Sequence, residues 1–96
     1  MKETMKLENT VDMMTSEDYK ERFKAEYYQT KIRYEKLHAF NIKIDAANIM
    51  RHKRDASSVE MPKHDCPDHL LQRQESVMKE YLDILETRAA IERIEL

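Results

Sequence analysis

His64, Cys66 and His69 stand in an H-x-C-x-x-H spacing, and with His52 they bring together four of the nitrogen and sulfur donors that a tetrahedral zinc site takes. The paired C-x-x-C of common zinc modules is missing and His52 is remote in sequence, so no metal is expected. Cys66 also lies beside histidines near a helix start, a setting that lowers a thiol pKa and favours nucleophilic attack. No orienting acid or oxyanion loop accompanies it, so the chain reads as a non-enzyme without a cofactor.

Residues suited to binding are more numerous. The run Arg51, His52, Lys53, Arg54 offers cations to a phosphate, and Arg88 offers a planar guanidinium fork. Arg88 falls on the apolar side of a helix, where an ion pair with Glu21 or Glu26 is the plain expectation and an anion contact at a subunit junction the functional one. Tyr27, Tyr28, Tyr34 and Tyr81 are core candidates, but Tyr28 falls outside the main apolar stripe and can serve as a stacking wall for a nucleobase. The candidate ligand-binding set is therefore Tyr28, Arg51, Lys53, Arg54 and Arg88.

Composition limits what these residues can bind. A net charge of −2 opposes general DNA or RNA binding, which needs a net basic face. A single cysteine permits no internal disulfide, and no apolar run approaches a membrane span or a signal peptide, so a reducing cytoplasm is expected.

The elements that must position these side chains are helical. The 96 residues contain no glycine, which removes the cheapest route to hairpin turns and phosphate-cradling loops. Thr15 and Asp18 have the spacing of a capping box, and from there Tyr19, Phe23, Tyr27, Thr30, Tyr34, Leu37, Asn41 and Ile44 recur at steps of four and three. This predicts a helix over 15–45. Tyr28, Ile32, Ala39 and Ile42 form a second, thinner line on another side of it. Residues 46–66 lose the period and read as a connection, although the first helix could run on as far as Arg54. Pro67 suits a first helical position, with Asp65 or Cys66 as cap, and opens a helix over 67–95 whose apolar face is too broad for one neighbour.

The expected fold is all-α: an antiparallel two-helix hairpin over 15–96, preceded by an arm or short helix over 1–14. A connection at the shared end places Tyr34 near Met78 or Tyr81 and Phe23 near Ala89 or Ala90. So small a hairpin buries a poor fraction of its surface, and its surplus stripes predict assembly of copies into a larger helical bundle.

The segments YKERFKAEYYQTKIRYEKLHAF (Tyr19 to Phe40) and CPDHLLQRQESVMKEYLDILETR (Cys66 to Arg88) resemble a family of small phage and prophage proteins first named from crAss-like phages. The pairing of R-Y-E-K-L-x-x-F with L-L-x-x-Q-x-x-x-M-x-x-Y-x-x-I-L-x-x-R carries this resemblance over roughly two thirds of the chain, and the family brings no activity to transfer. In size and plan the chain is also similar to phage sponge proteins of the anti-CBASS and anti-Thoeris type, whose oligomeric hairpins trap cyclic nucleotide immune signals. That likeness implies a phage-encoded sponge acting in an infected bacterium, with a cyclic nucleotide and other copies of itself as partners. The rival expectation is an adaptor or inhibitor docking a host protein through Tyr28, Ile32 and Ile42.

Overall fold

The computed structural model describes residues 5–53 and 59–96. All regular structure in them is helical. A 3-10 turn over Leu7–Thr10 leads into α1 (Val11–Met14), followed by α2 (Tyr19–Lys53) and α3 (Asp68–Glu92). Within the arm, residues 7–14 thus form a short helical element.

The start of α2 differs from the expected capping box at Thr15. Thr15 instead closes α1, its amide and hydroxyl both donating to the Val11 carbonyl. Asp18 caps α2: its Oδ1 accepts from the Lys20 amide at 3.0 Å and its carbonyl from the Arg22 amide. At its other end α2 passes residue 45 and continues to Lys53, so 46–53 is helix and not connection. The sequence AANIMRHK contains no helix breaker. Its 35 residues give a rod of about 52 Å, matching the 55 Å long axis of the molecule.

Pro67 caps α3 with extended backbone and is not its first residue; the first turn closes onto the Pro67 carbonyl from the Leu70 and Leu71 amides. At the far end Arg93 takes a left-handed conformation, φ 58° and ψ 44°, and the Ile94 amide bonds the Ala89 carbonyl at 2.8 Å. This is the Schellman geometry, made here without glycine. It turns Ile94 back into the core.

α2 and α3 pack as an antiparallel pair around Phe23, Tyr27, Leu82, Leu85, Ala89 and Ile94, with Leu85 fully buried and Tyr28 and Tyr34 against the cluster. Phe23 and Ala89 share this core, as the expected register requires. Asn41 occupies a core position further along the seam; its Nδ2 donates to the Leu71 carbonyl and to Glu75 Oε1, which ties the helices in one alignment.

The face of α2 turned from α3 is covered in two pieces. Near its N-terminus lie the 3-10 turn and α1: Thr10 is fully buried, its hydroxyl donating to the Leu7 carbonyl and accepting from Gln29 Nε2. Ala25, about 160° around the helix from this core, is buried there too. Near the C-terminus of α2, residues 59–64 fold back, with Val59 and Pro62 lining one surface pocket with Ala47 and Met50, and the His64 ring edge-on to Phe40.

Candidate functional site

The candidate binding residues lie at opposite ends of this rod. Tyr28 is half-buried and packs edge-on against Tyr27, ring centroids 5.1 Å apart. Arg51 is exposed in the last turns of α2, 23 residues and so about 35 Å further along the helix. The side chain of Lys53 and the whole of Arg54 lie outside the described residues. Arg88 sits at the other end of the rod, over the Phe23 ring at 5.0 Å. One copy of the chain does not bring these groups together.

Arg88 has other partners than expected. Its Nε bonds Glu92 one turn on, and its Nη2 donates to the Tyr19 hydroxyl at 2.9 Å, which in turn donates to Glu92 Oε1 at 2.7 Å. Neither Glu21 nor Glu26 takes part; Glu21 pairs with Lys24 instead. The exposed Tyr19–Arg88–Glu92 triangle satisfies its own charges. The Tyr19 phenol is raised chiefly by its bond to Glu92, and Glu92 is lowered chiefly by the same bond. An anion reaching Arg88 would have to displace a carboxylate.

The H-x-C-x-x-H segment is also occupied with local work. His64 Nδ1 contacts the Cys66 carbonyl at 2.6 Å and its Nε2 approaches Asp68 at 3.2 Å, while Cys66 and His69 are exposed. Among the described residues no three His, Cys, Asp or Glu side chains gather as a metal site.

The structure points instead to a groove along the α2–α3 seam, not singled out by sequence reasoning. It has a volume of about 200 Å³ and is lined by Tyr27, Lys31, Tyr34, Glu35, Lys79, Leu82 and Glu86. Tyr27, Lys31, Tyr34 and Glu35 come from successive turns of α2, and Lys79, Leu82 and Glu86 from two turns of α3, so the antiparallel register alone makes the groove. Tyr27 donates to Glu86 Oε2 at 2.8 Å; burial first, and then this bond, push its phenol far above the ordinary value. Lys79 is held by Asp83 at 2.6 Å, which raises the ammonium pKa. Lys31 lies 5.8 Å over the Tyr27 ring and makes no ion pair among the described residues. The arrangement offers one uncommitted cation, a second shared with a carboxylate, and two aromatic walls, with Glu35 and the Tyr27-bonded Glu86 in the same lining. Such a set suits a small flat anion or one nucleotide unit. The signal for it was present in the sequence as Lys31 on the tyrosine-bearing side of helix one, but only the register brings Lys79 across from it.

A family model described as Sequestin matches residues 17–91, which take in the whole of α3 save its last residue and all of α2. No curated protein and no solved structure matches the chain.

Proposed function

Since this chain belongs to the Sequestin family, we propose that it acts by binding and holding a small molecule without chemistry, and that the molecule is a cyclic nucleotide signal of bacterial immunity withdrawn on behalf of a phage. The family's name speaks for sequestration and not for a reaction. The observation that carries the ligand class is the seam groove, which Lys31 and Lys79, from the two helices, line together with Tyr27 and Tyr34. Its volume of about 200 Å³ is below the roughly 300 Å³ at which pockets enclose a whole drug-sized ligand. It therefore accommodates one base or phosphate unit, and the rest of the ligand meets a second copy.

Arg51, Lys53, Arg54 and Arg88 supply the outer phosphate contacts in this reading, drawn from different copies because one copy holds Arg51 and Arg88 about 40 Å apart. Calorimetric titration with cyclic dinucleotides, cyclic trinucleotides and cyclic ADP-ribose isomers is the test. Heat from one of them at stoichiometric binding supports the proposal; silence from all of them ends it.

Ile42 and Ile49 favour a second reading, an adaptor that docks a host protein, because both are more than half exposed on α2. Tyr28 and Ile32, which that reading also used, are half-buried. An Ile42→Asp change abolishes capture of a host protein under the adaptor reading and leaves nucleotide titration unaltered under the first.

A further inference from the structure

We infer that α3 pairs with α3 of a second copy, antiparallel, along a stripe that faces away from the hairpin core. Leu70, Val77, Ile84 and Ile91 recur every seven residues, and all four are exposed, by 45%, 56%, 50% and 75%. Tyr81, 38% exposed, falls between them at the other position of the heptad. A narrow stripe of period seven sustained over three heptads is the pattern a helix uses to receive a second helix, with knobs from each filling holes in the other. The stripe runs about 31 Å, and no described residue covers it.

The area argues that a second copy is the occupant. These five side chains expose on the order of 500 Å² of apolar surface, at the upper end of what a monomer leaves uncovered. With Gln74, at the same heptad position as Tyr81, and the polar rim of Arg73, Glu80 and Thr87, all exposed, the face reaches about 800 Å², the share one partner contributes to a standard stable interface. A two-fold pairing supplies a matching stripe of equal length and period from the chain itself.

Charge selects the antiparallel direction. Residues 80–92 carry Arg88 against Glu80, Asp83, Glu86 and Glu92, whereas residues 68–79 balance Asp68 and Glu75 with Arg73 and Lys79. A parallel pair would lay one acidic half on the other and stack Arg88 on its own mate at a heptad position. An antiparallel pair sets each acidic half beside a neutral one and places the axis next to Tyr81. The groove residues Lys79, Leu82 and Glu86 lie on the opposite flank of α3 from the stripe, so this pairing leaves the groove open to a ligand and to a further copy.

The inference takes from the proposed function only that copies associate, and the two fail separately: titration heat tests the ligand, mass tests the pairing. Sedimentation equilibrium of the full chain at micromolar concentration should give twice 11.6 kDa. Ile84→Asp should weaken association at least about 100-fold while the helical circular dichroism is kept, and Ile42→Asp, on α2, should leave the dimer intact. In a Cys66→Ser background, mixing Leu70→Cys with Ile91→Cys under oxidation should yield mainly the mixed disulfide. A wild-type monomer, a dimer indifferent to Ile84→Asp, an assembly broken by either isoleucine change, or mainly like-to-like disulfides would each overturn the antiparallel α3 pair.

Discussion

The Tyr27 hydroxyl donates to Glu86 Oε2 at 2.8 Å, and this contact joins the two helices at the wall of the seam groove. It also fixes the Tyr27 ring under Lys31, 5.8 Å from the ammonium, so the cation is held over an aromatic face and not beside a carboxylate. Lys79 across the groove is already engaged by Asp83 at 2.6 Å. The two lysines are thus unequal before any ligand arrives.

That inequality sets an order of effects on binding. Lys31→Glu should weaken a bound cyclic nucleotide by tenfold or more, about 1.4 kcal/mol, since it replaces an uncommitted cation with an anion. Lys79→Ala should cost less, because the ligand must first compete with Asp83. Calorimetry on both variants decides it, with circular dichroism confirming that each keeps its helices. Equal affinities for Lys31→Glu and the parent chain would remove the groove as the site.

Tyr27→Phe keeps the ring and deletes the bond to Glu86. The loss should be about 1 kcal/mol at neutral pH, the net value of one hydrogen bond to a charged but partly solvated acceptor. The folded phenol titrates well above the unfolded value of 10.0. Its stabilisation is therefore complete below about pH 10 and fades as pH rises beyond it. Urea denaturation at neutral and strongly alkaline pH should show the Phe variant losing less stability than the parent as base is added.

The seam could be read from residue spacing because one partner, α3, covers one unbroken stripe of α2. Phe23 and Ala89 meet because steps of four and three in each helix leave a single antiparallel alignment that buries both. The end of α2 was legible only as an alternative, 45 or as far as Arg54, for a physical reason. Past Ile44 the apolar residues Ala47 and Met50 line a pocket with the returning segment 59–62, on another side of the helix from the α3 stripe, and the period stops. Thr10 escaped because it is polar; its burial rests on bonds to Leu7 and Gln29 that no hydrophobic pattern announces. The partner of Arg88 was missed for a simpler reason: Glu92 is four residues on, and the local i,i+4 pair is cheaper to form than one across the seam.

Glu75 carries the acid sensitivity of the hairpin. It accepts from Asn41 at 2.9 Å and contacts His38 Nδ1 at 2.7 Å, and these bonds, Asn41 first, hold its carboxyl below the ordinary 4.5. A depressed carboxyl stabilises the fold above its unfolded value, and that contribution is lost as pH falls through the folded one. Glu75→Gln should thus lower the melting temperature at neutral pH, and the gap to the parent chain should close as the pH falls below the ordinary 4.5 and through the depressed folded value. A gap that persists unchanged into acid would mean the charge on Glu75 does not matter to the fold.

Arg93 pays for the absence of glycine. Its left-handed backbone, φ 58°, crowds the Cβ of any L-residue, at a cost of about 1 kcal/mol that glycine does not bear. The strain persists because it delivers the Ile94 amide to the Ala89 carbonyl and buries the Ile94 side chain, 6% exposed, in the core. Arg93→Gly should therefore raise stability by roughly 0.5–1 kcal/mol, or about 2–8 °C in melting temperature for a domain of this size. Arg93→Val should lower it, because β-branching aggravates the same crowding, and Ile94→Ala should cost about 2–5 kcal/mol through the cavity it leaves. Thermal unfolding at one fixed protein concentration keeps self-association from shifting the comparison. If glycine at 93 destabilises the chain, the left-handed turn is not what closes α3 in solution.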